Sequence, residues 1–186
     1  MQSVASMSIT VRPLTPGLWP ALEDLFGEHG ASNGCWCMYW RIGREYAKRP
    51  REKNRAAFRA IVKRGPPPGL LAFDGDRAVG WCQLTPRAAV PILDERRTAA
   101  RVDDLPVWSL SCFYVRCGYR RRGIMAALIS AAVKSAKRAK APALEAYPYL
   151  TKQPVYVGVL STFRRAGFYV VARPTPSRAI VRHDLG

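Results

Sequence analysis

The chain has 186 residues, of which 48% are hydrophobic, and its 30 Lys/Arg against 13 Asp/Glu give a net charge of +17. This length and apolar content exclude a wholly disordered chain and suffice for one domain with a core, which we place over 1–186 with 1–7 as a disordered extension. No apolar run is long enough to cross a bilayer, and the first ten residues lack the features of a secretory signal. We therefore expect a cytoplasmic protein that spans no membrane.

The cysteine pattern argues against a metal centre. The chain has five cysteines, an odd number with no C-x-x-C pair, so neither a disulfide framework nor a zinc site is indicated. We expect reduced thiols and no metal.

Most of the net charge lies in two segments. Residues 41–64 contain ten Lys/Arg and two Glu, and residues 116–140 contain eight Lys/Arg and no acid, so each segment has a net charge of +8. The remainder of the chain has a net charge of +1. This distribution predicts something anionic near both segments.

In chain order, the first half begins with a β-branched strand at 8–12, followed by a helix at 18–26 with apolar residues at helical intervals. A second helix is predicted at 51–64, where Arg51, Arg55, Arg59 and Lys63 form a basic ridge at i+4 spacing. Such a ridge is typical of a solvated face. The alternative is that it attracts an acidic acceptor, RNA or a ribosomal surface.

The rest of the chain alternates strands and helices. A hairpin around Asp74-Gly75-Asp76 is followed by an irregular stretch with a short helix near 93–100. The pattern then predicts strands at 107–115, 143–147, 169–172 and 179–182 and helices at 123–139 and 154–165. Together these elements predict an α/β (α+β layered) architecture with a mixed sheet.

The segment 112–129 carries the most informative motif. A buried strand runs into a tight basic loop and opens a helix at Gly123. A helix start has N–H groups without intrahelical partners and the positive end of the macrodipole, and glycine lets a bulky anion approach. The segment therefore predicts a site for a phosphate or pyrophosphate.

The same segment resembles a known family. Residues 115–128 are similar to motif A of the GNAT superfamily of acyl-CoA-dependent N-acetyltransferases, [Q/R]-x-x-G-x-[G/A], with Arg120 and Gly123 in register. Residues 163–168, Phe-Arg-Arg-Ala-Gly-Phe, are similar to the family's helix-to-strand ending, and the similarity covers most of 8–184. The resemblance implies a GNAT-like, mixed, mostly antiparallel central sheet of six to seven strands flanked by about four helices.

The resemblance also implies acetyl-CoA as the acyl donor. Backbone groups of Phe113, Tyr114 and Val115 would pair with the pantetheine arm, N–H groups of 121–126 would hold the pyrophosphate, and nearby Lys/Arg would hold the 3′-phosphate. The expected cofactor-binding residues are Phe113, Tyr114, Val115, Arg120, Arg121, Arg122, Gly123, Ile124, Met125 and Ala126.

The sequence departs from the family pattern at three positions. Met125 stands where Gly or Ala is usual, which predicts a narrower cradle, and Cys117 stands where Pro is frequent. Phe163 occupies the position of the Tyr that protonates the leaving thiolate in many members. Either another hydroxyl serves, Tyr156 on the same helical face two turns earlier or Ser161, or the thiolate leaves with help from water and the helix dipole.

Amine acetylation requires a neutral amine, a polarised thioester carbonyl and protonation of the leaving sulfur. Glu145 is the only acid within 105–183 and is the leading candidate for the base or the amine anchor. The other interpretation of Glu145 is a salt-bridged carboxylate near a basic loop. Asp103 and Asp104 are second candidates.

By resemblance, the first two helices and the loop between them line the acceptor site. Trp36, Tyr39 and Trp40 lie in that region, where aromatic faces suit a cationic amine or a planar group, although the same residues also suit a core.

The sequence thus predicts acetyl transfer from acetyl-CoA to a primary amine of a small molecule or peptide/protein, by direct attack in a ternary complex, in a monomer or homodimer. One alternative is an acyl-CoA-binding sensor without turnover, suggested by Phe163. The other is a basic nucleic-acid- or ribosome-associated protein, for which no helix-turn-helix, zinc-finger or RNP signature is present.

Overall fold

A seven-stranded sheet organises the computed structural model of the protein, which describes residues 8–151 and 156–186. The strand order is β1-β2-β3-β4-β5-β7-β6, and every neighbouring pair is antiparallel except β4 and β5. The predicted mixed, mostly antiparallel sheet is therefore confirmed. The strands are β1 (Ile9–Pro13), β2 (Gly69–Asp74), β3 (Arg77–Pro86), β4 (Trp108–Val115), β5 (Ala143–Ala146), β6 (Tyr169–Thr175) and β7 (Arg178–Asp184).

Seven α-helices accompany this sheet in the described residues, where the resemblance implied about four. The two helices that the sequence pattern did not predict, α2 and α3, have four residues each and are too short to show a helical period. The four-residue α5 overlaps the short helix predicted near 93–100. The helices are α1 (Trp19–Phe26), α2 (Tyr39–Ile42), α3 (Glu45–Lys48), α4 (Arg51–Arg64), α5 (Ile92–Glu95), α6 (Ile124–Arg138) and α7 (Leu160–Arg165).

The two faces of the sheet are covered by different helices. The apolar stripe of α6 packs Leu128, Ile129 and Ala132 against β1 to β4, and these three side chains are completely buried. On the opposite face, α1 and α4 cover Trp81 of β3, whose ring contacts Phe58 edge-on at 5.8 Å. The core is thus one layer of helix on each side of the sheet.

A divergence between β4 and β5 creates the main opening in the fold. The two strands pair in parallel only from Trp108 to Leu110 and from Leu144 to Ala146. Beyond Leu110, β4 continues to Val115 without β5 beside it. The backbone edge of the second half of β4 is therefore available to other groups.

The last predicted helix begins later than expected. It starts at Leu160 rather than at 154, and residues 154–155 lie outside the described residues. Tyr156 precedes this helix, so the expectation that it shares a helical face with Phe163 is wrong. The expected disordered extension 1–7 also lies outside the described residues.

Neither a membrane-spanning helix nor a metal-binding cluster occurs in the described residues. None of their helices combines the length and apolar character needed to cross a membrane. They also contain no cluster of three or more His, Cys, Asp or Glu with the geometry to bind a metal ion.

Candidate functional site

A cleft of about 600 Å³ opens where β4 and β5 diverge. Its walls are the end of β4, the loop and first turn of α6, and residues 156–165. All ten expected cofactor-binding residues except Arg122 line this cleft; the guanidinium of Arg122 instead lies over the Tyr119 ring at 5.8 Å. We call it the donor cleft. Its lining residues are Phe113, Tyr114, Val115, Tyr119, Arg120, Arg121, Gly123, Ile124, Met125, Ala126, Tyr156, Gly158, Val159, Thr162 and Arg165.

The N-terminus of α6 faces this cleft with an open backbone. Gly123 is the residue before the helix, with a left-handed φ of +81°, and no side chain caps the helix start. The first helical hydrogen bond runs from Ala127 N to Gly123 O at 3.0 Å, so the N–H groups of Ile124, Met125 and Ala126 have no intrahelical acceptor. A Cβ added to Gly123 would meet no atom within 4 Å. The positive end of a 15-residue helix is thus accessible to an anion.

Cations surround this helix start. Arg120, Arg121 and Arg165 line the donor cleft, and a second cleft of about 350 Å³ shares Arg165 and adds Lys134. Neither set of lining residues includes an acid. The positive end of the helix dipole and the positive side chains therefore lie together and both attract an anion.

The free edge of β4 is partly occupied by the segment before α7. Phe113 N donates to Tyr156 O at 2.5 Å. Because backbone groups alternate along a strand, Val115 faces the same outer edge, whereas Tyr114 pairs with β3, as does Arg116, whose N–H donates to Val79 O at 2.9 Å. Tyr114 thus lines the cleft with its side chain, and the backbone groups that face outward belong to Phe113 and Val115.

Met125 narrows the cleft by packing on a glycine. A Cβ on Gly158 would lie 2.0 Å from Met125 Cε, and Gly158 has a φ of +76° that side-chain-bearing residues rarely adopt. The long side chain at the usual Gly/Ala position is therefore accommodated by the missing side chain at Gly158.

Tyr156 is the one described residue that lines both the donor cleft and a neighbouring cavity. Its side chain is 43% exposed, and the neighbouring cavity has a volume of about 460 Å³. Phe163 is completely buried between the rings of Phe113 and Phe168 and lines neither cavity. Ser161 is exposed and also lies outside both, whereas its neighbour Thr162 lines the donor cleft.

The neighbouring cavity, which we call the acceptor cavity, is rich in aromatic residues. Tyr39 and Trp40 line it, but Trp36 does not; Trp36 is 2% exposed and stacks on Trp19 at 6.0 Å. The structure therefore brings together two of the three residues predicted to bind the acceptor. The lining residues are Ala31, Ser32, Cys35, Cys37, Tyr39, Trp40, Tyr46, Arg96, Thr98, Cys112, Tyr149, Tyr156, Val157 and Arg178.

Sequence reasoning missed Tyr46, Arg96, Tyr149 and Arg178 as members of this cavity. They come from four separate elements or loops and follow no common motif. The aromatic density of 35–41 was the available signal, and it marked only one wall.

Two of the three thiols that line the acceptor cavity, Cys35 and Cys37, are poor nucleophiles. Burial raises the pKa of Cys35 to about 11. A hydrogen bond with Cys112, together with burial, raises the pKa of Cys37 well above its usual value. Both thiols stay protonated at neutral pH, so neither supplies the thiolate that attack on an acyl group requires.

Glu145 lies in a buried ion-pair network away from both cavities. It is 2% exposed and accepts hydrogen bonds from Arg182 Nε at 3.1 Å and Nη2 at 2.7 Å, with Arg87 Nη1 at 3.6 Å. Asp103 binds the same Arg182 at 2.7 and 3.0 Å, and this pairing lowers the pKa of Asp103. Asp104 is exposed and lines neither cavity. This placement favours the salt-bridge interpretation of Glu145.

Three of the four residues of the basic ridge, Arg51, Arg55 and Arg59, contact other side chains of the protein. Arg51 contacts His29, Glu28 and Glu52, and Arg55 pairs with Glu23. The guanidinium of Arg59 lies over the Trp19 ring at 5.8 Å. Two of the four ridge cations are thus paired with carboxylates, and a third packs on an aromatic ring.

Comparison with known proteins identifies the fold. Among curated proteins, none matches the chain by sequence. Among solved structures, PaiA N-acetyltransferase from Thermoplasma acidophilum in complex with coenzyme A is similar, with a TM-score of 0.56 and 18% identity over 96% of this chain and 99% of that chain. YncA from Salmonella typhimurium with its cofactor acetyl-CoA has a TM-score of 0.58 and 13% identity over 96% and 94% of the two chains. N-acetyltransferase from Staphylococcus aureus Mu50 has a TM-score of 0.60 and 12% identity over 96% and 99%.

A family model gives the sequence-level assignment. The model described as Acetyltransferase (GNAT) family matches residues 33–168. That range extends from the loop before α2 to the start of β6 and includes β4, the basic loop and α6. Because it covers well over half of the 186 residues, the chain belongs to the GNAT acetyltransferase family.

Proposed function

We propose that the protein transfers an acetyl group from acetyl-CoA to a primary amine by direct attack in a ternary complex. The observation that carries this proposal is that the donor cleft and the acceptor cavity share one residue, Tyr156. An acyl donor in one and an amine in the other would meet beside its phenol.

The donor cleft has the chemistry that acetyl-CoA needs. The open N–H groups of Ile124, Met125 and Ala126 suit the pyrophosphate, and Gly123 leaves room for it. Arg165 and Lys134, in the adjoining cleft, suit a further phosphate group. The outward backbone of Val115 and the carbonyl of Phe113 suit the amide groups of the pantetheine arm. Two of the similar structures hold coenzyme A or acetyl-CoA.

The reaction needs one proton donor and one proton acceptor. The amine nitrogen attacks the thioester carbonyl carbon, the C–S bond breaks, and the Tyr156 hydroxyl gives its proton to the leaving sulfur. The proton lost by the amine passes to water, which also restores the phenol. The products are the acetylated amine and the free thiol of coenzyme A, and no acyl group is passed to a cysteine.

Hydrogen bonds of both its backbone and its side chain hold Tyr156 in place for this role. Its carbonyl accepts from Phe113 N on β4, and its hydroxyl donates to Ala31 O at 3.4 Å. The side chain therefore lies between the free edge of the sheet and the loop that borders the acceptor cavity. Phe163, in the core, has no such access.

An acyl-CoA sensor without turnover is the second candidate. It is favoured by the absence of Asp, Glu and His among the described residues that line the acceptor cavity. A nucleic-acid-binding role is less favoured because two of the four ridge cations, Arg51 and Arg55, pair with glutamates of the protein. We also propose that the protein is located in the cytoplasm, because all five cysteines are free thiols, as is usual in that reducing compartment.

Two measurements test the proposal. Acetyl-CoA at moderate salt should raise the melting temperature, and thiol release should follow when primary amines are added. No thermal shift would contradict both the enzyme and the sensor. A shift without thiol release on a broad amine panel would favour the sensor. Tight, salt-sensitive binding of RNA without a shift would favour the nucleic-acid role.

A further inference from the structure

Three arginines are buried in the described residues, and their pairing differs. Arg87 is 4% exposed and pairs with Asp94 and Glu145; Arg182 is 8% exposed and pairs with Asp103 and Glu145. Arg178 is equally buried, at 8%, and has no carboxylate in ion-pair contact among the described residues. It is also the one of the three that lines the acceptor cavity.

The described residues provide hydrogen-bond acceptors for only some of the N–H groups of the Arg178 guanidinium. Nη2 donates to the carbonyl of Tyr147 at 2.8 Å, and the guanidinium carbon lies 4.2 Å from the centroid of the Tyr149 ring. Nε is buried and has no acceptor among the described residues. Residues 1–7 and 152–155, outside the description, contain no Asp or Glu. The chain therefore offers no obvious counter-charge at this position.

A buried cation without a counter-charge points to a ligand. Burying an ionised group is costly unless it is paired, and arginine stays charged at every physiological pH. The second cation of the cavity, Arg96, lies over the Tyr39 ring at 5.5 Å. None of the lining residues is acidic. An anionic group that enters the cavity would offset the cost of burying Arg178.

The residues that line the cavity indicate the chemistry of the rest of the ligand. Four tyrosines and Trp40 line the cavity, and its volume of about 460 Å³ suits a small molecule. Aromatic walls favour a planar, apolar body. A lysine side chain or a polyamine would bring positive charge next to Arg178 and Arg96 and would be repelled.

We infer, given the proposed acetyl transfer, that the acceptor is a small amine with a carboxylate and a planar apolar body, and that its carboxylate pairs with Arg178. Two kinds of molecule have this chemistry: an aminobenzoate, whose amine is neutral at pH 7, and an aromatic α-amino acid. Their pH profiles separate them. An aminobenzoate would react at a rate nearly independent of pH above its carboxylate pKa. For an α-amino acid, kcat/KM would rise about tenfold per pH unit until the amine is deprotonated.

The first test uses the unmodified protein with matched acceptor pairs. The pairs are 4-aminobenzoate with 4-aminobenzamide, and phenylalanine with phenylalaninamide; spermidine represents polycations. We expect kcat/KM for the carboxylate to exceed that for its amide by about 30-fold in at least one pair, because one partner of a buried charged contact is lost. Equal rates within both pairs, a preference for spermidine, or no acetylation of either carboxylate while another amine is acetylated would overturn the inference.

The second test removes the cation. Arg178→Met should reduce the carboxylate-to-amide ratio to about one while acetyl-CoA still raises the melting temperature, and Arg178→Lys should keep part of the preference. Arg173→Met, an exposed position on β6, is the matched control and should keep the full ratio. An unchanged ratio in Arg178→Met would contradict the assignment. If that variant does not fold, the ratio in Arg178→Lys decides.

A third measurement separates this inference from the proposed function. Calorimetry with 4-aminobenzoate and phenylalanine, without acetyl-CoA, reports the cavity alone. Binding of a carboxylate but not of its amide would support the anion site even if acetyl-CoA has no effect, in which case the proposed transfer fails and the cavity assignment stands. Thiol release with cationic amines, without binding of either carboxylate, would instead support the proposed transfer and contradict the cavity assignment.

Discussion

Residues 41–64 and 116–140 have the same net charge of +8, yet the fold uses them differently. In the first segment, Arg51 and Arg55 pair with glutamates from the α1 region and α4, and Arg59 covers an indole ring. In the second, Arg120 and Arg121 line an open cleft beside an uncapped helix start. Net charge therefore does not distinguish an internal ion-pair surface from an anion site.

The difference lies in the backbone. Helix α4 begins after Pro50 and presents side chains to neighbouring acids, whereas α6 begins after Gly123 and presents N–H groups to a cavity. At α6, the dipole, the free donors and the positive side chains face an open cleft whose lining contains no acid, whereas glutamates lie beside the start of α4. Four variants, in order of decreasing effect, challenge or refine this contrast.

The largest effect is expected for Gly123→Val. The side chain would enter the open space in front of α6 and force a branched residue into a left-handed conformation. We expect acetyl-CoA affinity to fall by at least about 100-fold, because several charge-assisted hydrogen bonds would be lost together. Isothermal titration with acetyl-CoA measures this change.

Gly75→Val is its matched control. Gly75 also has a positive φ, +57°, and open space around its Cβ position, but it lies in the turn between β2 and β3. Its variant should share the loss of stability and keep acetyl-CoA affinity. If Gly123→Val also keeps its affinity, the pyrophosphate site lies elsewhere.

Tyr156→Phe should lower kcat by about 100-fold, since general acid catalysis commonly contributes that much. The KM for acetyl-CoA should change little, because Tyr156 makes no contribution to the helix start. Steady-state kinetics with an active amine provides the measurement. Tyr169→Phe, an equally exposed tyrosine at 47% exposure on β6, should leave kcat unchanged. Normal turnover in Tyr156→Phe would assign protonation of the sulfur to water.

Glu145→Gln should act on stability rather than on chemistry. We expect the free energy of unfolding to fall by about 2 kcal/mol, less than for a fully broken buried pair because Arg182 keeps Asp103. The kcat per folded molecule should stay within about twofold, as no group in contact with the substrates changes. Urea unfolding and kinetics measure the two quantities, with Asp104→Asn as the exposed control. A sharp loss of kcat at normal stability would instead identify Glu145 as the base.

The smallest effect is expected for single charges at the two basic segments. Arg165→Gln, at the donor cleft, should raise the KM for acetyl-CoA by about fivefold, and this difference should shrink at high salt. Arg59→Gln, equally exposed on α4, should leave the KM unchanged. Equal effects of the two variants would mean that long-range charge, not local geometry, governs donor binding.

Much of the fold and of the donor cleft was predictable because the signals are local. The helix at 51–64 has the predicted bounds, β4 begins one residue later than predicted, and α6 is one residue shorter than predicted at each end. Arg120, Gly123 and the following turn form their site within a few residues of one another, so spacing alone describes it.

The acceptor side and the catalytic groups were not predictable in the same way. Glu145 was a candidate base because it is the only acid in 105–183, but its environment is set by Arg182 and Arg87, which no local pattern connects to it. Tyr156 reaches the cleft through a backbone bond to Phe113 rather than through a helical face.

The sequence by itself thus determined the anion site at the start of α6, because a helix start, a glycine and a basic loop are consecutive and act through the backbone they form. Only the tertiary structure decided which charged side chains pair with other residues of the protein and which line a cavity. Arg178 and Arg182 are four residues apart on β7. Arg182 pairs with two carboxylates, whereas Arg178 lines a cavity rich in aromatic rings. Pairing of a buried charge depends on what other strands and loops bring within a few ångströms, and that distance is set by the packing of the whole sheet.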